Sequence, residues 1–179
     1  MIGVLVSGNG SNLQALIDAG LPISAVAANR NDAYALVRAR AAGLPAATFG
    51  LDCHASREER DLMMATWLEE HGVELVVLAG YMHLLTPPFL RRFPDRIVNV
   101  HPSLLPAFPG AHAIADALAA GVETTGVTVH LVDEGMDTGP VIRQEAVPVE
   151  PRETLVERIH AVEHRLLPQV VEERLCLVR

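Results

Sequence analysis

The stretch "IGVLVSGNGSNLQAL", Ile2 to Leu16, sets a short strand-forming run against a glycine-bearing turn and then a run with helical spacing. A buried apolar strand that turns at glycine into a helix is the first half of a parallel βαβ unit. Gly8 and Gly10 permit the tight turn. Ser11 and Asn12 fall at the helix start, where backbone N–H groups without partners make an anion site. The glycine pair resembles the opening of a dinucleotide fingerprint, but Leu13 stands in the third glycine's place. No ribose-binding acid ends the second strand, which closes on Asn29–Arg30, so one phosphate fits the loop better than a pyrophosphate. An ordinary turn capped by Ser11 would read the same from these residues alone.

Outward from this unit the same alternation continues, and it predicts an α/β fold: a doubly wound, mostly parallel sheet with a Rossmann-like N-terminal half. Strands are predicted at Ile2–Val6, Ile23–Ala28, Ala46–Phe49, Leu75–Ala79, Ile97–His101, Gly126–Val132 and Val141–Val147. Asp32 is expected to cap a helix running to Gly43. Ser56 with Glu59 forms a capping box for a helix ending at His71–Gly72. Further helices are expected at Ala113–Ala120 and from near Arg152, the latter kinking or breaking at Pro168. One domain, 1–179, is expected, with an N-terminal lobe to about residue 95 and a second lobe from about 96.

Half of the 179 residues are hydrophobic, enough to bury a substantial core. No window reaches the roughly 18 uninterrupted apolar residues of a membrane span, and Met1 leads straight into a strand, so a cytoplasmic protein is expected. Cys53 and Cys176 stand far apart without CxxC spacing, which indicates neither a disulfide framework nor a cysteine zinc site. Formal charge is −8, and all 14 basic residues are arginine. No lysine is available for a Schiff base, and an acidic surface argues against a nucleic-acid partner.

A second stretch, "IVNVHPSLLPAFPG", Ile97 to Gly110, ends a strand in an Asn and a His two residues apart. Residues at that spacing share one side of a strand, so Asn99 and His101 project together from its end before Pro102 stops it. An amide can donate to an oxyanion, and an imidazole can exchange a proton near neutral pH. The later "TTGVTVHLVDEGMDTGPV" ends in an acidic, glycine-bearing loop, in which Asp137 is poised to pair with His101. A carboxylate there would favour the charged ring and fix its orientation. A solvated turn is the alternative for that loop.

Together, "SGNGSNLQAL", "VVLAGYMHLL", "NVHPSLLPAFPG", "GVTVHLVDEGMDTGPVI" and "VEHRLLP" resemble the phosphoribosylglycinamide formyltransferase family, from Ile2 to about Val170. The resemblance implies the formyltransferase fold and transfer of a formyl group from 10-formyltetrahydrofolate, a co-substrate, to the amine of glycinamide ribonucleotide in purine synthesis. It implies that Asn99 holds the formyl oxygen, His101 stabilises the tetrahedral species and moves protons, and Asp137 tunes His101. The substrate phosphate would lie on Gly10, Ser11 and Asn12, and Glu163 would meet its ribose or glycinamide end. The folate would contact Arg57, Met82, His83, Leu84, Leu85, Asn99 and the loop Asp133, Glu134, Gly135, Met136 and Asp137. No metal is implied, and a monomer or homodimer is expected.

Three positions depart from the family pattern. His83 stands where an arginine is common, Ala107 replaces a Lys or Ser, and the chain stops soon after "VEERLCLVR". His83 is expected to share recognition of the folate's acidic tail with Arg57, doing an arginine's work partially, and more strongly at low pH. A formyltetrahydrofolate hydrolase would share the Asn-His-Asp set, but the phosphate loop and the absence of a preceding regulatory domain disfavour it. Methionyl-tRNA formyltransferase is disfavoured by the missing nucleic-acid-binding domain. A non-catalytic nucleotide-binding module leaves Asn99, His101 and Asp137 without a role.

Overall fold

The structure is a computed structural model that describes residues 1–178; Arg179, the last residue of the expected domain, lies outside the described residues. Its strands are β1 (Ile2–Val6), β2 (Ile23–Ala28), β3 (Ala46–Thr48), β4 (Leu75–Leu78), β5 (Ile97–His101), β6 (Thr124–Leu131) and β7 (Val141–Pro148). Its helices are α1 (Ser11–Asp18), α2 (Tyr34–Ala41), α3 (Arg57–Glu70), α4 (Pro87–Leu90), α5 (Ala113–Ala120) and α6 (Leu155–Val178). All seven strands form one sheet in the order β3-β2-β1-β4-β5-β6-β7. β1 to β5 are parallel, whereas β6 runs antiparallel to both β5 and β7.

The central strands β1, β2, β4 and β5 are buried on both faces, as continuous runs such as "LVVL" at Leu75–Leu78 require. On one face Leu13 and Leu16 of α1, Leu36 of α2 and Leu167, Val170 and Val171 of α6 pack over Val4, Val26, Val77 and Val98. On the other, Met64 and Leu68 of α3 and Phe89 of α4 cover Leu5, Val76 and Ile97. Chain order reverses direction at β1, whose neighbours are β2 and β4. The crevice at the carboxyl ends of strands on either side of that reversal is where such sheets bind ligands.

Three local expectations need correction. Asp32 does not cap α2: the N-cap is Ala33, without a side-chain bond, and the Asp32 carboxylate instead accepts from Arg30. The nearby guanidinium offers a charged donor that an orphan backbone N–H cannot match. At α3, Ser56 Oγ accepts from the Glu59 N–H at 3.1 Å as expected, but the Glu59 carboxylate accepts from the N–H of Ala55, not from that of Ser56. Finally, α6 continues through Pro168 without a break. A proline inside a helix costs about 3 kcal/mol. Here Leu166, Leu167, Val170 and Val171 are each at most 2% exposed, and side chains buried to that degree contribute about 1.5–3 kcal/mol apiece.

Candidate active site

The carboxyl ends of β1, β4 and β5 open into a cavity of about 450 Å³. Its walls are Gly8–Asn12 after β1, Leu78–Leu85 after β4, Asn99–Pro102 at the end of β5, and the 133–137 loop after β6, with His160 and Glu163 of α6 closing one end.

Asn99 and His101 do lie on one side of β5, and Asp137 meets both. His101 Nδ1 is 3.4 Å from Asp137 Oδ2, and Asn99 Nδ2 donates to Asp137 Oδ1 at 3.3 Å. The other imidazole nitrogen, Nε2, lies 2.8 Å from the carbonyl oxygen of Phe108. Two acceptors thus face the two ring nitrogens, and a ring protonated on both satisfies them. The loop that supplies Phe108 is pinned to β6 and β7: Thr128 Oγ1 donates to the Ser103 carbonyl at 2.7 Å and accepts from the Leu105 N–H at 3.1 Å, while Gln144 donates to the Leu105 carbonyl at 2.8 Å. Asp137 is also held by the Gly110 N–H at 2.8 Å. Phe108 and Asp137 have φ of 53° and 54°, a left-handed conformation that bulky or branched residues rarely adopt and that clusters at functional sites.

Burial would push the Asp137 carboxyl up, but His130, the Gly110 N–H and the positive charge available at His101 and His130 outweigh it and hold it below the ordinary carboxylate value. His130 is the member that sequence reasoning missed. It sits opposite Asn99 in the β5–β6 register. Its Nδ1 is 2.7 Å from the Leu131 carbonyl; in the neutral ring Nε2 is then an acceptor for the Asn99 amide at 3.1 Å, and in the charged ring it is a donor facing Asp137 Oδ1 at 3.6 Å. With acceptors on His130 and Asp137 both facing it, the NH₂ end of the Asn99 amide is oriented. The sequence signal was present in "TTGVTVHLV", but it becomes readable only once the antiparallel register is known.

At the other end, Gly10 has φ 77°, and a Cβ there would come within 2.6 Å of Ala35 Cβ. Only glycine fits. α1 starts at Ser11 with no side-chain cap, so its first-turn N–H groups face the cavity end without one. Arg38 braces this loop by donating to the Asn9 carbonyl (2.9 Å), Asn9 Oδ1 (3.1 Å) and Gln14 Oε1 (3.2 Å). Asn12 and Glu163 are both buried and hydrogen-bonded at 3.0 Å. Burial pushes the Glu163 carboxyl up; the Asn12 hydrogen bond and His160 pull it down, and burial prevails.

Along the wall after β4, Met82 and Leu84 are exposed at the cavity, whereas Leu85 belongs partly to the core beneath. Asp133, Gly135, Met136 and Asp137 line the cavity, but Glu134 does not. Asp133 Oδ1 accepts from the Gly135 N–H and the Thr138 hydroxyl, closing a turn that leaves Glu134 exposed. Arg57 is not in the lining either; its Nη2 reaches the wall by donating to the Leu84 carbonyl at 2.7 Å. Burial, Arg60 and Arg57 together push the His83 ring below the ordinary histidine value. Among the described residues no group of three or more His, Cys, Asp or Glu could hold a metal ion, and no helix is long and apolar enough to cross a membrane.

Residues 1–171 match the Formyl transferase family model. Phosphoribosylglycinamide formyltransferase of Mycobacterium tuberculosis is 47% identical over 176 residues, covering 94% of this chain and 81% of that protein. The Bacillus subtilis protein of the same name is 39% identical over 97% of this chain and 94% of its own length. The chain also matches the Drosophila pseudoobscura trifunctional purine biosynthetic protein adenosine-3 at 45% identity, spanning only 13% of that longer protein. The crystal structure of phosphoribosylglycinamide formyltransferase from Streptococcus pneumoniae superimposes with a TM-score of 0.93 at 44% identity, covering 97% of this chain and 98% of that one. The same fold, coverage of 81–98% of the length of relatives named phosphoribosylglycinamide formyltransferase, and an amide, imidazole and carboxylate gathered at one end of the cavity lead to one conclusion: the chain belongs to the phosphoribosylglycinamide formyltransferase family.

Proposed function

We propose that Asn99, His101 and Asp137, with His130 orienting the amide, carry out the family's formyl transfer from 10-formyltetrahydrofolate to glycinamide ribonucleotide in de novo purine synthesis. The observation that carries these roles is that Asn99, His101 and Asp137 line one end of a cavity whose other end is lined by the uncapped start of α1. The ribonucleotide phosphate binds the N–H groups at Gly10, Ser11 and Asn12, and Glu163 receives the ribose or glycinamide end. The folate lies along Met82–Leu85 and the 133–137 loop, with Arg57 at its acidic tail.

In the reaction the amine nitrogen attacks the formyl carbon, and the carbonyl electron pair moves onto oxygen. That oxyanion is met by the Asn99 N–H and by an N–H of the protonated His101 ring, each exchanging one of its present acceptors for it. Collapse of the tetrahedral species breaks the bond to N10 of the folate. The proton shed by the amine ends on N10, and His101 is the group placed to move it. Asp137 keeps the ring oriented, and the ring gives its own proton to N10 before taking up the one shed by the amine. The substrate amine is itself the nucleophile, so the reading requires no covalent enzyme intermediate and no metal, and a cytoplasmic monomer or homodimer suffices.

Incubation with 10-formyltetrahydrofolate in the presence and absence of glycinamide ribonucleotide tests this. Deformylation that depends on the amine is expected. Release without the amine would instead indicate a hydrolase, and no release a binding module.

A further inference from the structure

Behind the cavity wall at His83 lies an ion pair cut off from solvent. Arg60 and Asp61, neighbours on α3, both have fully buried side chains. Arg60 Nε donates to Asp61 Oδ1 at 2.8 Å, and Nη2 lies 2.7 Å from the same oxygen. Asp61 Oδ2 accepts from the Thr86 N–H at 2.8 Å, which ties the end of the wall segment to α3. The remaining edge of the guanidinium faces that segment, with Nη1 3.4 Å from His83 Nδ1.

A guanidinium can only donate hydrogen bonds, so a bond from Arg60 to Nδ1 requires a lone pair on Nδ1 and puts the ring's one proton on Nε2. We infer that Arg60 fixes His83 as a neutral, Nε2-protonated ring, making it a pH-independent hydrogen-bond donor beside Arg57 for a carboxylate of the folate tail. The folate assignment rests on the reading of the cavity above; the state of the ring does not. The charged groups facing His83 agree with it. From α3 come Arg57, which donates to the adjacent Leu84 carbonyl, and the Arg60–Asp61 pair, whose carboxylate is already engaged by Arg60 and Thr86. From the wall segment comes Tyr81, whose ring lies 5.9 Å from that of His83 and whose phenol burial pushes up to about 12, so it stays uncharged.

Multiple-bond nitrogen–proton NMR of the ligand-free protein reads the ring directly. The expected result is a single His83 tautomer with Nε2 protonated and no titration between about pH 6 and 8, where an ordinary histidine changes charge. An Nδ1-protonated ring, or titration near 6.5, overturns the inference whatever the enzyme's activity. The double variant R60M/D61N removes both buried charges together, so neither is left unpaired; in it His83 should titrate nearer the ordinary value. The ligand role is read in kinetics. His83→Ala should raise the folate KM several-fold at every pH in that range, and His83→Gln, which keeps an N–H, should restore it to within about twofold. A folate KM unmoved by His83→Ala overturns that role and leaves the NMR result standing. Failure of the formyl-transfer reading would show instead as no amine-dependent deformylation by the unaltered protein.

Discussion

Asn12 Nδ2 donates to Glu163 Oε2 at 3.0 Å, joining the start of α1 to the middle of α6 across 151 positions of the chain, and neither residue is more than 8% exposed. The bond fixes the distance between the α1 end of the cavity and the carboxylate that closes it. It also holds a carboxyl where burial favours its neutral form.

The sign of that effect sets the first prediction. A carboxyl whose folded pKa lies above its unfolded one costs no stability below the unfolded value, near 4.3, and costs progressively more as pH rises through the folded value. Glu163→Gln keeps an acceptor for Asn12 and cannot ionise. Calorimetry should therefore find the variant's Tm above that of the unaltered protein at pH 7.5 and close to it near pH 4.3. A variant less stable at both would mean that Glu163 stabilises the fold as an anion.

Asp137 is the opposite case, a carboxyl held below the ordinary value. Its ionised form is more stable in the folded protein, so the stability it adds is present above the unfolded pKa and lost as pH falls through the folded one. Asp137→Asn should cut turnover on the order of 10²-fold or more, the scale of a positioned acid–base group. The KM for the ribonucleotide, whose phosphate is held at the far end, should hardly change. Steady-state kinetics with each substrate varied in turn decides this, and near-normal turnover would make Asp137 merely part of a turn.

His130 stands 3.1 Å from the amide of Asn99, and its proposed role is to orient that amide. Losing one hydrogen bond worth about 0.5–1.5 kcal/mol corresponds to a fall in kcat of about 2- to 10-fold. His130→Ala should show that fall with both KM values nearly constant, and adding Asn99→Ala should cost little beyond Asn99→Ala alone. Fully additive losses would separate the two residues.

Gly10→Ala places a methyl 2.6 Å from Ala35 Cβ at a φ of 77°. The loop must shift, so the ribonucleotide KM should rise about 10-fold or more, with the folate KM changing far less. Arg38→Leu, which removes the brace on Asn9, should move the same constant in the same direction by less. Equal changes for both substrates would place the phosphate elsewhere.

Much of the site was readable because its parts are local. The spacing of Asn99 and His101 needs only the two-residue period of a strand, and the Gly10 turn needs only the conformational freedom of glycine before a helix start. The strands from Ile2–Val6 to Val141–Pro148 emerged within two residues of their expected ends, since buried β-branched runs bounded by turns carry their own signal. The capping exchange at Asp32 was not readable, because Arg30 outcompetes the helix start for the same carboxylate.

By itself, then, the sequence determined the alternation of strands and helices, the glycine turn before α1, and the pair of side chains at the end of β5, all set by dihedral preferences and contacts within a few residues. Only the tertiary structure decided that His130 stands against Asn99, that Arg60 lies behind His83, and that α6 runs unbroken past Pro168 to bring Glu163 onto Asn12. Those outcomes depend on strand register and on burial between segments up to 151 positions apart, where the free energy of covering apolar surface overrides what any local stretch prefers.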